Sequence, residues 1–437
     1  MRRRMAPLLS VVCLQVVGPA KAEAPRGILE AADTDTGRRA PTGRELREHL
    51  PSRGAFRFPP PYNTRAARIT NPQDCAGGDC VQPTGYAYWR NMNNHRGADR
   101  ILVVVGLDVG RGGSGPTLFS YRKSSGRVRK LGPLFTAASP LRHDTAEGWY
   151  FSAQQRHALY VNDGRRLLRY DVIDKTSQVV FDIRAWDATG AYIKQLHSSD
   201  DDTVHSATLV RGGRHAGCVV YDEPRDNLTF YPAAGPLDEC QLGRSGAWLL
   251  IKENTDDRQG VDNRIIALDS GEQATLFDAQ GAVGHSDNGH GYMVGEDNWH
   301  ERPGAVRLWH FDGLLDGQLV YHGLSWDVGT THITHTNADP RLPAAHQYAC
   351  ASHLGPRTIA RANELVCFPL DGSRTTLVVA PTMTDPNAAG GNSAYGRAPK
   401  ANLDPTGRYL FWTSNMGGQR LDAFIVEVPS ERLTEPP

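Results

Sequence analysis

The stretch Thr117-Leu-Phe-Ser-Tyr121 is rich in β-forming residues, and the turn Ser125-Gly126 links it to a second β-rich run. The same unit, two short β-rich runs joined by a polar turn, recurs along the chain. It returns at residues 168–172, 265–268 and 365–368. Such a unit is typical of the outer hairpin of a four-stranded propeller blade.

A polar cluster precedes these units and is followed by an alternating apolar strand. The clusters begin at residues 143, 195, 238, 285, 332 and 400. Their spacing runs from 43 to 52 residues, with a last interval of 68 residues, and propeller blades repeat about every 40 to 50 residues. Together with a first blade near Tyr86-Ala-Tyr88, the clusters predict an all-β, seven-bladed β-propeller.

The last predicted strand, residues 423–428, would close the ring by pairing with N-terminal chain, so that no sheet edge stays exposed. Helical stripes of period 3.6 are missing from the sequence, which disfavours doubly wound and barrel α/β folds. A β-helix is the structural alternative, but its rungs would be shorter and more regular than these intervals.

Residues 1–22 have the features of a secretory signal peptide: three early arginines, a short apolar run, and small residues before a cleavage position near Ala22. The apolar run is shorter than the roughly 20 residues needed to cross a bilayer, and no later segment is apolar enough to span one. We expect a secreted or periplasmic chain with an extended arm at residues 23–61 and one propeller domain at residues 62–430.

Of the seven cysteines, Cys13 lies in the predicted signal peptide, and the even number that remains favours disulfides in an exported chain. Six cysteines allow fifteen pairings. The spacing along the chain favours the pairs Cys75–Cys80, Cys218–Cys240 and Cys350–Cys367. A zinc site is the less favoured alternative, because the chain has no C-x-x-C motif.

The innermost strand of every propeller blade begins near one end of the central channel, so the polar clusters predict one funnel-shaped site. Imidazoles and carboxylates gathered in a polar basin suit either divalent metal binding or proton transfer. The candidate members are His143, His197, His205, Glu239, His285, Asp287, His290, His332, His335 and Lys400.

The segment Gly284-His-Ser-Asp-Asn-Gly-His-Gly291 is the strongest single element. Strand alternation would place His285 and Asp287 on one face, where the carboxylate would orient the imidazole. The alternative is a turn in which the Asp and Ser side chains cap backbone amides. In Thr331-His-Ile-Thr-His335, the two histidines fall on opposite faces of an extended strand, so we expect one of them to be structural.

Three stretches resemble the oligogalacturonate lyase family. They are Gly284-His-Ser-Asp, Thr331-His-Ile-Thr-His335 and Ala398-Pro-Lys-Ala-Asn-Leu-Asp-Pro-Thr-Gly-Arg-Tyr-Leu-Phe-Trp-Thr-Ser-Asn415. In that family the last motif opens with a His-Pro-His pair preceded by Gln, and these side chains help to bind a divalent cation. Here the matching positions are Ala398 and Lys400, so the resemblance implies the fold more directly than the metal.

The resemblance implies a carbohydrate-active lyase that cleaves an acidic polysaccharide or oligosaccharide by β-elimination. Such an enzyme must neutralise a uronate carboxylate, remove the C5 proton and protonate the leaving oxygen. The predicted catalytic residues are His285, His335 and Lys400, and the predicted substrate-binding residues are Arg397, His143, His205 and Glu239. A Ca²⁺ or Mn²⁺ site formed by His285, Asp287 and His332 stays open as an alternative.

The charge balance and the absence of several known motifs disfavour other functional classes of protein. Lys plus Arg and Asp plus Glu both number 48, so the formal charge is zero and no basic surface for nucleic acid is indicated. Serine hydrolase, zinc protease and nucleotide-binding motifs do not occur. We expect a monomer, and the alternative function is a non-catalytic propeller that binds a ligand or a protein across its funnel.

Overall fold

A computed structural model describes most of the chain. The described residues are 26–32, 38–139, 141, 148–187, 189–256, 258, 260–297, 303–313, 317–324, 328–391, 393–418 and 420–434. The predicted signal peptide, residues 1–22, lies outside them. The described residues form seven antiparallel sheets arranged as the blades of a seven-bladed β-propeller, which confirms the predicted fold.

The strands follow one another blade by blade. Three N-terminal strands precede the ring: β1 (Ile28–Glu30), β2 (Gly54–Arg57) and β3 (Arg65–Arg68). The first blade has β4 (Met92–Asn93), β5 (Arg100–Leu107), β6 (Gly115–Arg122) and β7 (Arg127–Pro133). The second has β8 (Tyr150–Phe151), β9 (Ala158–Asn162), β10 (Arg166–Asp171) and β11 (Ser177–Asp182). The third has β12 (Tyr192–Ser198), β13 (Val204–Arg211), β14 (Arg214–Asp222) and β15 (Asn227–Pro232).

The remaining blades repeat this order. The fourth has β16 (Leu237–Leu242), β17 (Trp248–Glu253), β18 (Asp262–Ala267) and β19 (Gln273–Leu276). The fifth has β20 (Val283–Asn288), β21 (Tyr292–Asp297), β22 (Ala305–His310) and β23 (Gln318–His322). The sixth has β24 (Thr330–Thr334), β25 (Tyr348–Leu354), β26 (Glu364–Pro369) and β27 (Thr376–Pro381). The seventh has β28 (Asn402–Leu403), β29 (Tyr409–Ser414) and β30 (Asp422–Glu427).

N-terminal strands complete the last two blades. Strand β3 pairs antiparallel with β30, with Ala66 opposite Val426, and β2 pairs with β3 to form the outer edge of the seventh blade. This pairing is the predicted ring closure. Strand β1 pairs with β27 at the edge of the sixth blade. The segment predicted as an arm, residues 23–61, therefore supplies two strands to the ring.

The burial of a strand depends on its position within the blade. The middle strands, such as β26 and β29, are buried along their whole length because neighbouring blades pack against both faces. The outermost strand β7 has no buried residue. The middle strands are accordingly rich in large apolar residues, whereas the outer strands carry charged ones.

The three predicted disulfides are present. Cys350–Cys367 joins directly opposed residues of β25 and β26. Cys218–Cys240 ties β14 of the third blade to β16 of the fourth, and Cys75–Cys80 closes a short loop before the first blade. Three disulfides fit an oxidising compartment such as the periplasm or the extracellular space.

Two short α-helices flank the ring, α1 (Gly43–Glu48) and α2 (Glu431–Thr434). Among the described helices, none is long and apolar enough to cross a membrane.

Candidate functional site

The polar clusters lie where the innermost strands begin, at the end of the channel that we call the proximal end. Glu239 lies in β16, His285 in β20 and His332 in β24, and Lys400 lies two residues before β28. Each innermost strand starts at this same end because every blade repeats the same strand order. The blade repeat therefore brings residues that are far apart in the sequence to one place.

Five side chains meet there and form what we call the proximal cluster: Tyr86, His285, His332, Tyr395 and Lys400. The imidazoles of His285 and His332 stack with their ring centroids 4.3 Å apart. The Tyr86 ring lies 5.9 Å from the His285 ring and 6.0 Å from the His332 ring. The Lys400 ammonium nitrogen lies 3.9 Å from the centroid of the Tyr395 ring and 5.2 Å from that of Tyr86.

The two phenols of the proximal cluster are linked through their hydroxyls. The hydroxyl oxygens of Tyr395 and Tyr86 lie 3.1 Å apart, and the Tyr395 hydroxyl lies 3.3 Å from Nε2 of His332. Tyr395 is 40% exposed, whereas His332 and Lys400 are buried. The Tyr395 phenol is therefore more exposed to solvent than the imidazole and the ammonium that it contacts.

His285 sits in a β-bulge at the start of its strand. The register between β20 and β21 shifts between Val283 and Ser286, which leaves His285 outside the regular alternation. Its Nδ1 lies 2.7 Å from the carbonyl oxygen of Thr331. Because a carbonyl only accepts hydrogen bonds, Nδ1 carries the proton, and the neutral ring keeps a lone pair on Nε2. A half-buried imidazole in this state can act as a base.

Both imidazoles of the proximal cluster are neutral at pH 7. Burial lowers the pKa of His285 to about 4; the hydrogen bond to Thr331 opposes this shift, and the charges of Lys252 and Lys400 add to it. Burial also holds the pKa of His332 well below its ordinary value, with further lowering by His285 and Lys400. The Lys400 ammonium is therefore the positive charge of the cluster, and both imidazoles are in the unprotonated form that a base requires.

A buried polar layer supports the proximal cluster from below. The Lys252 ammonium donates a hydrogen bond to the carbonyl oxygen of Gly284 and lies 3.5 Å from the Glu239 carboxylate. Glu239 accepts a short hydrogen bond from the hydroxyl of Tyr88, whose ring stacks on Tyr86 at 5.5 Å. Burial raises the pKa of Glu239, and Lys252 opposes the shift. Glu239, predicted to bind substrate, therefore lies beneath the cluster and is buried.

Asp287 does not orient His285 as the strand alternation predicted. Its carboxylate accepts hydrogen bonds from Nη2 of Arg244 at 2.7 and 2.9 Å, and one from the backbone amide of His335 at 2.6 Å. The bulge at His285 breaks the alternation on which the prediction rested. The three residues predicted to bind a metal, His285, Asp287 and His332, therefore do not form one site. The Asp287 carboxylate is hydrogen-bonded to the buried guanidinium of Arg244 instead.

His335, predicted to be catalytic, lies buried at the end of the innermost strand of the sixth blade. It is fully buried, its Nδ1 lies 3.0 Å from the carbonyl oxygen of Tyr348, and its Nε2 lies 2.8 Å from the hydroxyl of Tyr292. Burial lowers its pKa to about 3. Both ring nitrogens are engaged, as expected for the structural member of the pair with His332.

A further histidine of the predicted funnel, His205, does not join the proximal cluster. His205 is fully buried in β13, where its Nδ1 shares a 2.8 Å hydrogen bond with the hydroxyl of Ser198 and its ring packs on Tyr160. His143 lies outside the described residues. The predicted role of His205 in substrate binding therefore does not agree with its position.

Arg397, predicted to bind substrate, anchors a loop. Its Nε donates to the carbonyl oxygen of Gly390 at 2.9 Å, and its Nη1 donates to that of Pro386 at 3.0 Å. It belongs to the same 3-10 turn as Tyr395. Arg397 therefore fixes the loop that holds Tyr395 over the channel mouth.

The opposite, distal end of the channel has a cavity of about 650 Å³. On its floor, the Asp200 carboxylate contacts the Arg90 guanidinium and lies 3.3 Å from Nε2 of His290 and 3.8 Å from Nη1 of Arg244. The positive charges of Arg90 and Arg244 therefore offset the negative charge of Asp200 at this end of the channel. His290, predicted to be in the funnel, belongs to this end of the channel.

The sequence matches no protein-family model and no curated protein. Two solved structures are similar in fold. An oligogalacturonate lyase in complex with manganese is 13% identical, with a TM-score of 0.59 over 87% of this chain and 99% of that chain. An oligogalacturonate lyase from Vibrio parahaemolyticus is 12% identical, with a TM-score of 0.58 over 87% of this chain and 100% of that chain. The expected resemblance therefore holds for the fold.

The proximal cluster does not fit a divalent cation of the kind that the resemblance implies. Two of the implied ligand positions are Ala398, which has no donor atom, and Lys400, whose ammonium repels a cation. Within the described part of the chain, the one group of three or more His, Cys, Asp or Glu side chains whose ligand atoms lie within 4.8 Å of one another is away from the innermost strands, at Asp256, Asp262 and Asp278. The chemistry of the cluster is accordingly considered without a metal.

Sequence analysis missed two members of the proximal cluster and one residue beneath it. Tyr86 was noted only as the start of the first blade, and Tyr395 and Lys252 were not noted at all. Tyr395 lies three residues before Ala398, next to the motif that carries the resemblance, and this proximity is the one sequence signal that could have indicated it. Lys252 lies in the middle of an apolar strand, where a charged residue is unusual.

Proposed function

We propose that this protein is a secreted carbohydrate-active lyase that cleaves an acidic polysaccharide or oligosaccharide by β-elimination at the proximal end of its channel. The observation that carries the proposal is the Lys400 ammonium held among two neutral imidazoles and two phenols. A cation, a base and proton donors are the groups that elimination from a uronate requires. The fold shared with two oligogalacturonate lyases supports the same class of reaction.

Lys400 is assigned to the substrate carboxylate. Its nitrogen lies against the rings of Tyr395 and Tyr86, which hold the ammonium in a fixed place at the mouth. An ammonium paired with the carboxylate would stabilise the negative charge that develops when the neighbouring C5 proton leaves. Here it would do what a metal ion would otherwise do.

His285 is assigned as the base. Its Nδ1 is fixed on the Thr331 carbonyl, so Nε2 is the nitrogen with a lone pair. Nε2 would take the C5 proton, and the C5–H electron pair would form the C4=C5 double bond as the C4–O bond breaks. The resulting imidazolium would return its proton to water. His335 takes no part, because both its ring nitrogens are engaged.

The experiment is to incubate the purified protein with pectate fragments, ulvan and glucuronan, and to follow ultraviolet absorption from the unsaturated product. We expect product from at least one polymer in the presence of a chelator. His285→Ala should form product at least about 100-fold more slowly, and the outer-strand variant Tyr231→Phe should match the wild type. Flat traces on all three polymers, with and without divalent cations, would refute the lyase assignment.

A ligand-binding platform is the second candidate function, and the distal cavity of about 650 Å³ favours it. A platform would bind an acidic oligosaccharide without cleaving it. Calorimetry with a saturated oligouronide, run beside the product assay, separates the two. Binding with no product from any uronide would favour the platform, and binding with product would favour the lyase.

A further inference from the structure

We infer that Tyr395 is the proton donor to the leaving oxygen, with Tyr86 as a hydrogen-bond partner that relays a proton from water back to it. This inference rests on the proposed lyase function and names a residue for the step that His285 and Lys400 leave open. His335, the other histidine predicted to be catalytic, is buried with both ring nitrogens engaged. An acid must therefore come from another side chain at the mouth.

The position of Tyr395 suits this role. Its side chain is 40% exposed, while its ring packs against the Lys400 nitrogen at 3.9 Å. A uronate whose carboxylate binds Lys400 would carry its C4 oxygen within the same small volume, because C4 and C6 are both bonded to C5. The exposed phenol next to the ammonium is thus close to the bond that breaks.

A route for reprotonation is present in the same cluster. The Tyr395 hydroxyl lies 3.1 Å from that of Tyr86 and 3.3 Å from Nε2 of His332. Burial raises the pKa of Tyr86, so its hydroxyl stays protonated. The Tyr395 proton passes to the departing O4, which leaves as an alcohol. The phenolate regains a proton from water, either directly or through Tyr86, which takes a proton from water as it gives one to Tyr395. The base and the acid together transfer one proton each, so the step needs no co-reactant.

The loop around Tyr395 is built to hold this side chain in place. Arg397 fixes it through hydrogen bonds to the carbonyl oxygens of Gly390 and Pro386. The contacts with Lys400 and Tyr86 then fix the ring itself. A tyrosine that only covered the protein surface would not need its orientation fixed by Arg397, Lys400 and Tyr86.

The test varies the leaving group. A general acid matters for an alkoxide leaving group and little for a nitrophenolate, which leaves without protonation. On a galacturonate oligomer, Tyr395→Phe should lower kcat by about 10²- to 10⁴-fold. On a methyl uronoside that carries a 4-O-nitrophenyl group, the same variant should stay within about fivefold of the wild type. Tyr86→Phe should show the same pattern with a smaller loss, and Tyr231→Phe should show no loss on either substrate.

Each outcome is informative. An equal loss on both substrates would overturn the inference, because it would mark Tyr395 as a binding or structural residue. Full activity of Tyr395→Phe on the oligomer would overturn it as well, while leaving the lyase function intact. A wild-type protein that eliminates neither leaving group would overturn the proposed function and this inference with it. The nitrophenyl substrate also shows that the variant is folded, since His285 and Lys400 must still act on it.

Discussion

The ammonium nitrogen of the buried Lys400 lies 3.9 Å from the centre of the half-exposed Tyr395 ring. Lys400 also has a backbone φ of 41°, in the left-handed region that costs energy for a residue with a side chain. Strain of this kind persists where the surrounding fold imposes it, and it is common at functional sites. The position of this one charge is therefore the feature of the site most worth testing.

Lys400→Met should weaken the binding of a saturated acidic oligosaccharide. A charge-assisted hydrogen bond contributes about 1.5 to 3 kcal/mol, so the dissociation constant should rise roughly 10- to 150-fold. Calorimetry measures it, and Lys130→Met on the outer strand β7 is the matched control. Unchanged affinity in Lys400→Met would remove Lys400 from the binding site.

His285→Ala should lower kcat/KM by about 10²- to 10⁴-fold and destabilise the fold by no more than about 1 kcal/mol. The ring is half-buried, and water can replace its hydrogen bond to Thr331. Activity of the wild type should also fall as the pH drops towards about 4, where His285 becomes protonated. A variant that unfolds more readily by 1–3 kcal/mol but keeps its specific activity would make His285 a structural residue.

His353 should make stability depend on pH. Burial lowers its pKa to about 3 in the folded chain, against an ordinary value near 6.5. Between these values the unfolded chain binds the proton and the folded chain does not, so stability is lost as the pH falls from about 6.5. Relative to His353→Asn, the wild type should lose up to about 1.4 kcal/mol per pH unit in this window.

Urea unfolding of both proteins at pH 7.0 and pH 5.0 measures the effect of His353. The comparison with the variant cancels the contributions of the other buried groups. A stability difference between the two proteins that does not change with pH would show that His353 is not a buried neutral imidazole.

Replacing both Cys218 and Cys240 with Ser should lower stability by about 3 kcal/mol, because the bridge closes a loop with a sequence separation of 22 residues. The bridge also ties the third blade to the fourth. Thermal unfolding measures the loss, and an unchanged midpoint would show that packing between these blades suffices alone.

The fold was predictable because its signals are local and repeated. The hairpin at Thr117–Tyr121 and the polar clusters recur at one period, and the predicted closing strand pairs with residues 65–68. The three disulfides followed from short spacings for the same reason. Each of these features depends on neighbours in the sequence or on a repeat count.

The site was predictable only in part. His285, His332 and Lys400 were expected together because blade repetition brings them to one end of the channel. Asp287 was misplaced, since a single bulge shifts the strand face and a buried guanidinium engages its carboxylate. The sequence could not show which of His332 and His335 is the buried one, because that depends on the contacts of His335 with Tyr348 and Tyr292. The blade repeat could not predict Tyr395 as a member of the site, because Tyr395 lies in a loop whose path depends on contacts made by Arg397.

The most direct test is the rate of unsaturated product formation from a galacturonate oligomer in the presence of a strong chelator, followed by ultraviolet absorption. The account predicts the same rate with chelator and with added Mn²⁺ for the wild type, and a loss of at least about 100-fold for His285→Ala under both conditions. Product that appears only after Mn²⁺ is added, or no product under either condition, would contradict a metal-free elimination site built on Lys400.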